Sequence, residues 1–162
     1  MKIHVEGNKR LIEMALINPP VTDNTPNIEI WVRQRNEGSI PHIHVYHDKT
    51  QNPRKCSYVR LDIAGYHHDS DGKGKPLGSY KDTMIELLDK PWSKYHIEVY
   101  DLDENNKIQY NEDGDIKKKL VVATGYEAAV IIWIDTYGVV PNIKFNIDSE
   151  TGHYIRPNYE EM

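Results

Sequence analysis

The sequence predicts an α+β fold made mostly of antiparallel sheet, with two or three helices packed on one face. Strand-like segments outnumber helix-like ones, several of them follow one another directly, and the helix-like segments carry their own start and stop signals. Strands that follow one another in the chain favour antiparallel pairing over a repeated β-α-β order. At 162 residues the chain has the usual size of one domain, so we predict a single domain over 1–162.

The first half of the chain contains three segments in which apolar and polar residues alternate, a pattern typical of strands with one buried face. These segments are 28–33, 40–46 and 58–63. A helix over 79–89 follows, with Ser79 and Asp82 near its start, and the three strands and this helix form a predicted core unit over 28–89. Upstream of this unit we expect a short strand at 3–5 and a helix over 8–17.

The second half is predicted to contribute a hairpin and a helix, over 93–138. The hairpin strands are expected at 96–101 and 107–110, a further strand at 119–123 and the helix at 125–137. Thr124 and Glu127 have the spacing of a capping box at the start of that helix, and Gly138 is placed to end it. One more strand is expected near 143–147, and residues 148–162 are expected to form a loose tail.

Composition excludes several classes of protein. The formal net charge is −5, which repels phosphate backbones and disfavours nucleic acid as a partner. Cys56 is the only cysteine, so an intramolecular disulfide and a cysteine-based zinc site are excluded. No apolar run approaches the 18 residues of a membrane-spanning helix, and the N-terminus lacks the apolar segment of a signal peptide. We therefore expect a cytoplasmic protein without membrane contact.

Strand alternation sorts the residues of the three strands onto two faces. The side predicted to face the core carries Ile28, Ile30, Val32, Ile43, Val45, Val59, Leu61 and Ile63. The opposite side, which we call the polar sheet face, carries Glu29, Trp31, Arg33, His42, His44, Tyr46, Tyr58, Arg60 and Asp62. Aromatic rings with polar tips suit interfaces, so we predict that a partner protein binds through Trp31, Arg33, Tyr46, Tyr58 and Arg60.

The pair His42 and His44 has a second interpretation. Alternate residues of a strand point the same way, so the two imidazoles can hold a divalent transition metal, completed by Asp62, His67 or His68. A nuclease with a His-hydrophobic-His strand also uses a tyrosine nucleophile. The catalytic residues of such an enzyme would be His42, His44, Asp62, Arg60 and Tyr80. In the simpler alternative, both histidines are ordinary residues of a wet sheet face. The chain lacks a second His-x-Ser or His-x-Thr strand, which counts against a two-histidine phosphodiesterase.

The three-strand segment resembles a family of short bacterial proteins without a settled activity. The shared parts read Ile30-Trp31-Val32, Pro41-His42-Ile43-His44-Val45 and Val59-Arg60-Leu61-Asp62-Ile63, followed by the helix at 79–89. Members of the family often lie near toxin–antitoxin-like gene pairs. The resemblance covers 28–89, a little over a third of the chain, and this chain departs from it by its loops at 48–57 and 66–78 and by its long C-terminal part. The resemblance implies a small-protein partner or a regulatory role, of a mobile-element or defence-related type.

Three weaker signals have simpler explanations. Residues 101–112 match the ligand spacing of a calcium loop, but strand-like flanks favour a hairpin turn without calcium. Lys73 and Lys75 lie in a glycine-rich segment that can present amides and charges to a small anion, or can be a flexible surface loop. Cys56 is interpreted as a bystander thiol, because no base is assigned near it.

The leading functional hypothesis is thus a binding protein that acts through the polar sheet face and needs no cofactor. A metal-dependent hydrolase or nuclease is the first alternative, and a binder of small anionic ligands is the second. Whether the protein is an enzyme, and in what oligomeric state it exists, is left open by the sequence.

Overall fold

A computed structural model describes residues 14–16, 28–33, 40–47, 55–67, 76–138 and 143–162. The strands in these ranges are β1 (Met14–Leu16), β2 (Ile28–Arg33), β3 (His42–His47), β4 (Lys55–Arg60), β5 (Pro91–Tyr100), β6 (Lys118–Thr124), β7 (Asn146–Ile147) and β8 (Tyr154–Ile155). The α-helices are α1 (Lys81–Asp89) and α2 (Gly125–Tyr137). All pairings are antiparallel, which confirms an α+β fold dominated by antiparallel sheet. The placement of the helices on one face stays a prediction.

The first four strands form one sheet in the order β1-β2-β3-β4. The strand predicted at 28–33 is confirmed, and the strand predicted at 40–46 is observed one to two residues later, at β3. The strand predicted at 58–63 instead ends at Arg60, because the chain turns back on β4: Arg60 N donates to Gly65 O at 2.9 Å and His67 N to Tyr58 O at 2.8 Å. The predicted core residues of the sheet are buried, except Ile63, which lies in this turn and is 50% exposed.

The helix predicted over 8–17 is wrong where the structure describes it. Residues Met14–Leu16 form strand β1, which pairs with β2 through Ala15 opposite Val32. Hydrogen bonds to a neighbouring strand outweigh the weak local preference that the capping signal expresses. The remainder of this predicted helix, and the strand predicted at 3–5, lie outside the described residues.

Strand β5 pairs with β6 through Ile97 opposite Val121, and the predicted pairing of β5 with 107–110 is wrong. Residues 101–117 form a connection with only two isolated bridges, Leu102 with Ile108 and Tyr110 with Ile116. The cause is local turn chemistry, since Asp103 Oδ1 accepts from Asn105 N at 2.8 Å and Lys107 N at 3.0 Å. Such an aspartate turn reverses the chain direction within the connection, after which the chain forms β6 and pairs with β5.

The hydrogen bonds of Asp103 are also relevant to the predicted absence of a calcium site in this connection. The strand that precedes this connection is confirmed as β5, and one oxygen of the Asp103 carboxylate, Oδ1, accepts from two backbone amides. We expect isothermal titration with CaCl₂ to show no saturable site below millimolar concentration. A site in that range that is lost on Asp101→Ala would contradict this prediction.

Helix α2 begins and ends where the sequence indicates. Thr124 Oγ1 accepts from Glu127 N at 3.1 Å and Thr124 N donates to Glu127 Oε1 at 3.2 Å, so the capping box is complete. Gly138 closes the helix with a φ of 77°, a value that favours glycine. At the start of the helix, a Cβ on Gly125 would lie 2.7 Å from Leu87 O, so only glycine allows α1 and α2 to approach this closely.

Helix α1 follows a 3-10 turn at Gly78–Tyr80, which confirms the predicted helix at 79–89 in its main part. The near capping box at its start does not form, because no side-chain hydrogen bond caps the turn or the helix. In the described part of the chain, no helix is long and apolar enough to cross a membrane.

The C-terminal residues pack onto the rest of the chain, in contrast to the loose tail expected over 148–162. Tyr159 is fully buried, and its hydroxyl donates to Arg60 O at 2.6 Å. Arg156 binds Asp89 of α1 through two hydrogen bonds, of 2.6 and 3.1 Å. Long-range contacts of this kind leave no local pattern in the sequence. The strand predicted near 143–147 is observed only as the two residues of β7.

Candidate functional site

The register of strands β2, β3 and β4 arranges the polar sheet face in rows. Glu29, Tyr46 and Cys56 form one row, and Trp31, His44 and Tyr58 form the next. His42 and Arg60 lie opposite each other one step further along. Alternation along β3 places His42, His44 and Tyr46 on the side of the sheet opposite Ile43 and Val45. Cys56 joins the group because the strand begins earlier than expected.

Burial differs between the histidines and their aromatic neighbours. His42 and His44 are each only 2% exposed, so the expectation that they lie on a wet surface is wrong. Trp31, Tyr46 and Tyr58 are half-buried, so part of each residue is accessible. The face therefore consists of a buried histidine pair surrounded by half-buried aromatic residues.

Aromatic contacts surround His42 on several sides. Its ring centroid lies 5.1 Å from that of His44, 4.5 Å from His67 and 5.4 Å from Trp133 of α2. Its Nδ1 lies 2.8 Å from Ile40 O, a distance at which an N–H at Nδ1 donates to this carbonyl. This hydrogen bond orients the ring, and the three neighbours shield it from solvent.

The structure brings together part of the predicted metal-ligand set. The ring centroid of His67 lies 4.5 Å from that of His42. Asp62 instead binds Arg60, whose Nε and Nη2 donate to its two carboxylate oxygens at 3.0 and 2.8 Å. This hydrogen-bonded pair raises the pKa of Arg60. Among the described residues, no group of three or more His, Cys, Asp or Glu side chains is arranged to hold a metal ion. Metal binding stays a prediction.

Tyr80, the nucleophile that a nuclease would require, does not lie with the strand histidines. Its ring centroid is 5.1 Å from that of His47, which alternation places on the opposite face of β3. Ser57 Oγ lies 3.0 Å from His47 Nε2 on that side. Tyr80 precedes helix α1, whose residues Met84 and Leu88 belong to the apolar core. The packing of α1 on the core thus separates Tyr80 from His42 and His44.

Cys56 has a neighbour that the sequence reasoning missed. Its Sγ lies 4.0 Å from His44 Nδ1, the outer limit for a hydrogen bond to sulfur. The contact runs diagonally between strands, because Cys56 is opposite Tyr46 and His44 is two residues earlier in β3. The register of β3 and β4, once known, would have revealed it. The distance and the partial burial of the thiol indicate a packing contact within the face.

The structure describes the other predicted site residues only in part. Arg33 ends strand β2, and its side chain lies outside what the structure describes. Lys73, Lys75 and His68 also lie outside the described residues. Trp31 is held by a hydrogen bond of 3.1 Å from its Nε1 to Glu29 Oε2, along the same strand.

No family model, no curated protein and no solved structure matches this chain.

Proposed function

We propose that the protein binds a partner protein through the polar sheet face. One observation carries this proposal: Trp31, Tyr46 and Tyr58 are half-buried aromatic residues in adjacent rows around the buried ring of His44. Tryptophan and tyrosine dominate the binding energy of protein interfaces, because they present large areas at a low cost in conformational entropy.

The rings are also held in place before any partner arrives. The centroid of Tyr58 lies 4.4 Å from that of His44, and Tyr46 stacks on His44 at 6.4 Å. Trp31 is fixed by its hydrogen bond to Glu29. Groups that are already ordered lose less freedom on association, so the same contacts yield a higher affinity.

Electrostatics favour a protein over a nucleic acid as the partner. The charge of Arg60 is compensated by Asp62 at 2.8 Å, and the whole chain carries a net charge of −5. A phosphate backbone is recognised chiefly by uncompensated lysine and arginine. A surface of aromatic rings with a paired arginine instead suits a partner with apolar and hydrogen-bonding groups. A cytoplasmic location and a mobile-element or defence-related role are part of the proposal, the latter on the resemblance of residues 28–89.

The metal-dependent hydrolase stands second. The contacts of the His42 ring with the rings of His44 and His67 favour this function. It is disfavoured because Asp62 binds Arg60 and because Tyr80 lies beside His47. A site for a small anion at Lys73 and Lys75 is the third candidate.

The proposed interface can be tested by photo-crosslinking followed by affinity measurements. A photoreactive phenylalanine at position 46 captures the partner, whose binding is then measured with purified proteins. We expect Trp31→Ala and Tyr46→Ala each to weaken binding about 30-fold, which corresponds to about 2 kcal/mol for an interface hot spot. Tyr110→Ala is the matched control, because Tyr110 is 64% exposed and lies in the 101–117 connection, and it should leave the affinity unchanged.

Two outcomes would overturn the proposal. The first is an affinity that neither Trp31→Ala nor Tyr46→Ala changes. The second is a stoichiometric transition metal that survives dialysis, persists in Trp31→Ala and disappears in both His42→Gln and His44→Gln, with circular dichroism showing that the variants remain folded. That result would favour the hydrolase.

A further inference from the structure

Among the described residues, one edge of strand β6 has no neighbouring strand. Its other edge pairs with β5 in a two-stranded sheet. The edge of a sheet presents a row of N–H and C=O groups that can pair with a further strand.

The pairing with β5 shows which groups of β6 point to this edge. Asp101 N donates to Lys117 O at 2.8 Å, so the Lys117 carbonyl points towards β5 and the following amide, that of Lys118, points away from it. Tyr100 N, one residue earlier, donates away from β6 to Thr151 O at 2.9 Å. Antiparallel strands alternate in this way along their length. The amides and carbonyls of Lys118, Leu120 and Val122 therefore point outward.

The side chains at the same edge are apolar and exposed. Leu120 is 66% exposed and Val122 41% exposed, and both lie on the face that alternation assigns to Lys118. Proteins normally protect a strand edge with charges, proline or a bulge. In β6 the protective lysines stand only at the N-terminal end, at Lys118 and Lys119.

We propose that β6 pairs with β6 of a second copy of this chain, antiparallel and about a two-fold axis at Val121. In this register Leu120 of each copy lies opposite Val122 of the other, so the two exposed apolar residues cover each other. Lys118 lies opposite Thr124 of the second copy. The result is a four-stranded sheet whose central apolar stripe is flanked on both sides by Glu98 and His96, the β5 neighbours of Leu120 and Val122.

Charge selects the antiparallel orientation. Lys118 of one copy is six residues from Lys118 of the other along the paired strands, a separation of roughly 20 Å. This exceeds the screening length of about 8 Å at physiological ionic strength. A parallel, in-register pairing would place the lysines at 117–119 of both copies side by side. A strand of seven residues buries far less area than the roughly 1,600 Å² of a standard interface, so the dimer should be weak and concentration-dependent.

Single cysteines test the register directly. In the full-length Cys56→Ser chain, with oxidised glutathione as oxidant, Val121→Cys should form a disulfide-linked dimer. At the two-fold axis this residue faces itself in a non-hydrogen-bonded pair, with Cα atoms about 4.5 Å apart, which a disulfide can bridge. Leu120→Cys and Val122→Cys should crosslink when mixed and only weakly when alone. Efficient crosslinking of Leu120→Cys alone, with none at Val121→Cys, would overturn the proposed register.

Sedimentation equilibrium from micromolar to millimolar protein tests the association itself. We expect the unmodified chain to dimerise and Leu120→Lys to weaken dimerisation at least tenfold, with an unchanged circular dichroism spectrum. Tyr110→Lys is the matched control, since Tyr110 is similarly exposed, at 64%, and lies outside β6, and it should dimerise normally. A wild-type chain that stays monomeric at millimolar concentration would overturn the proposal, as would equal association of Leu120→Lys.

Discussion

Replacing Tyr159 with alanine is expected to lower the free energy of unfolding by about 3–5 kcal/mol, the usual range for a buried aromatic side chain. Tyr159 has no exposed surface, and its hydroxyl donates to Arg60 O at 2.6 Å. Burial raises the pKa of Tyr159, so the hydroxyl stays protonated and remains a donor at neutral pH. Urea denaturation followed by circular dichroism measures the loss.

Two further variants separate the contributions at the C-terminus. Tyr159→Phe keeps the ring and removes only the hydrogen bond, which should cost about 1–3 kcal/mol because Arg60 O is left without this donor. Arg156→Ala removes ion pairs with Asp89 and Glu160 whose carboxylates are half-exposed, so a clearly smaller loss than that of Tyr159→Ala is expected. If Tyr159→Ala cost no more than Arg156→Ala, the C-terminal segment would not be anchored through its aromatic ring.

The elements predicted best are those whose signal is local. Alternation over 28–33 identifies both the strand and the side on which each residue lies, and the burial of residues 28–32 agrees with it. The capping box of Thr124 and Glu127, together with Gly138, delimits α2 because each signal acts within a few residues. Such patterns depend on backbone geometry that the sequence expresses directly.

The elements predicted worst depend on distant partners. Strand β1 forms because it pairs with β2. Strand β5 pairs with β6, from which the 101–117 connection separates it in the sequence. The Glu127 carboxylate was expected only to cap α2. In the structure it also accepts from Tyr154 N at 3.1 Å and lies 3.0 Å from His153 Nδ1. Local propensities carry no information about which distant group will fill such a position.

The candidate site shows the same division. Alternation predicted that His42, His44 and Tyr58 share a face, which needs only the register of neighbouring strands. It could not predict that the histidines are buried, because the rings of His67 and Trp133 that contact His42 come from other parts of the chain. Because the histidines are buried, the accessible part of the face consists of the aromatic residues and not of the histidines.

Trp133 is the residue through which helix α2 contacts this face, and Trp133→Ala is expected to cost about 3–5 kcal/mol of stability. The side chain is 1% exposed, so its removal leaves a large cavity, and its ring centroid lies 5.4 Å from that of His42. Urea denaturation measures the loss, and Trp133→Phe should restore part of it by keeping an aromatic ring in the same place.

A double-mutant cycle tests whether the ring contact itself couples the helix to the face. We expect Trp133→Ala and His42→Ala to be non-additive by about 0.5–1.5 kcal/mol, the range for an aromatic pair. His47→Ala is the matched control, because His47 is another buried histidine of β3 but contacts Tyr80 on the opposite face, so it should be additive with Trp133→Ala within about 0.5 kcal/mol. Additivity of both pairs would mean that Trp133 stabilises the fold without supporting His42, and that the aromatic residues of the face are positioned by the sheet alone.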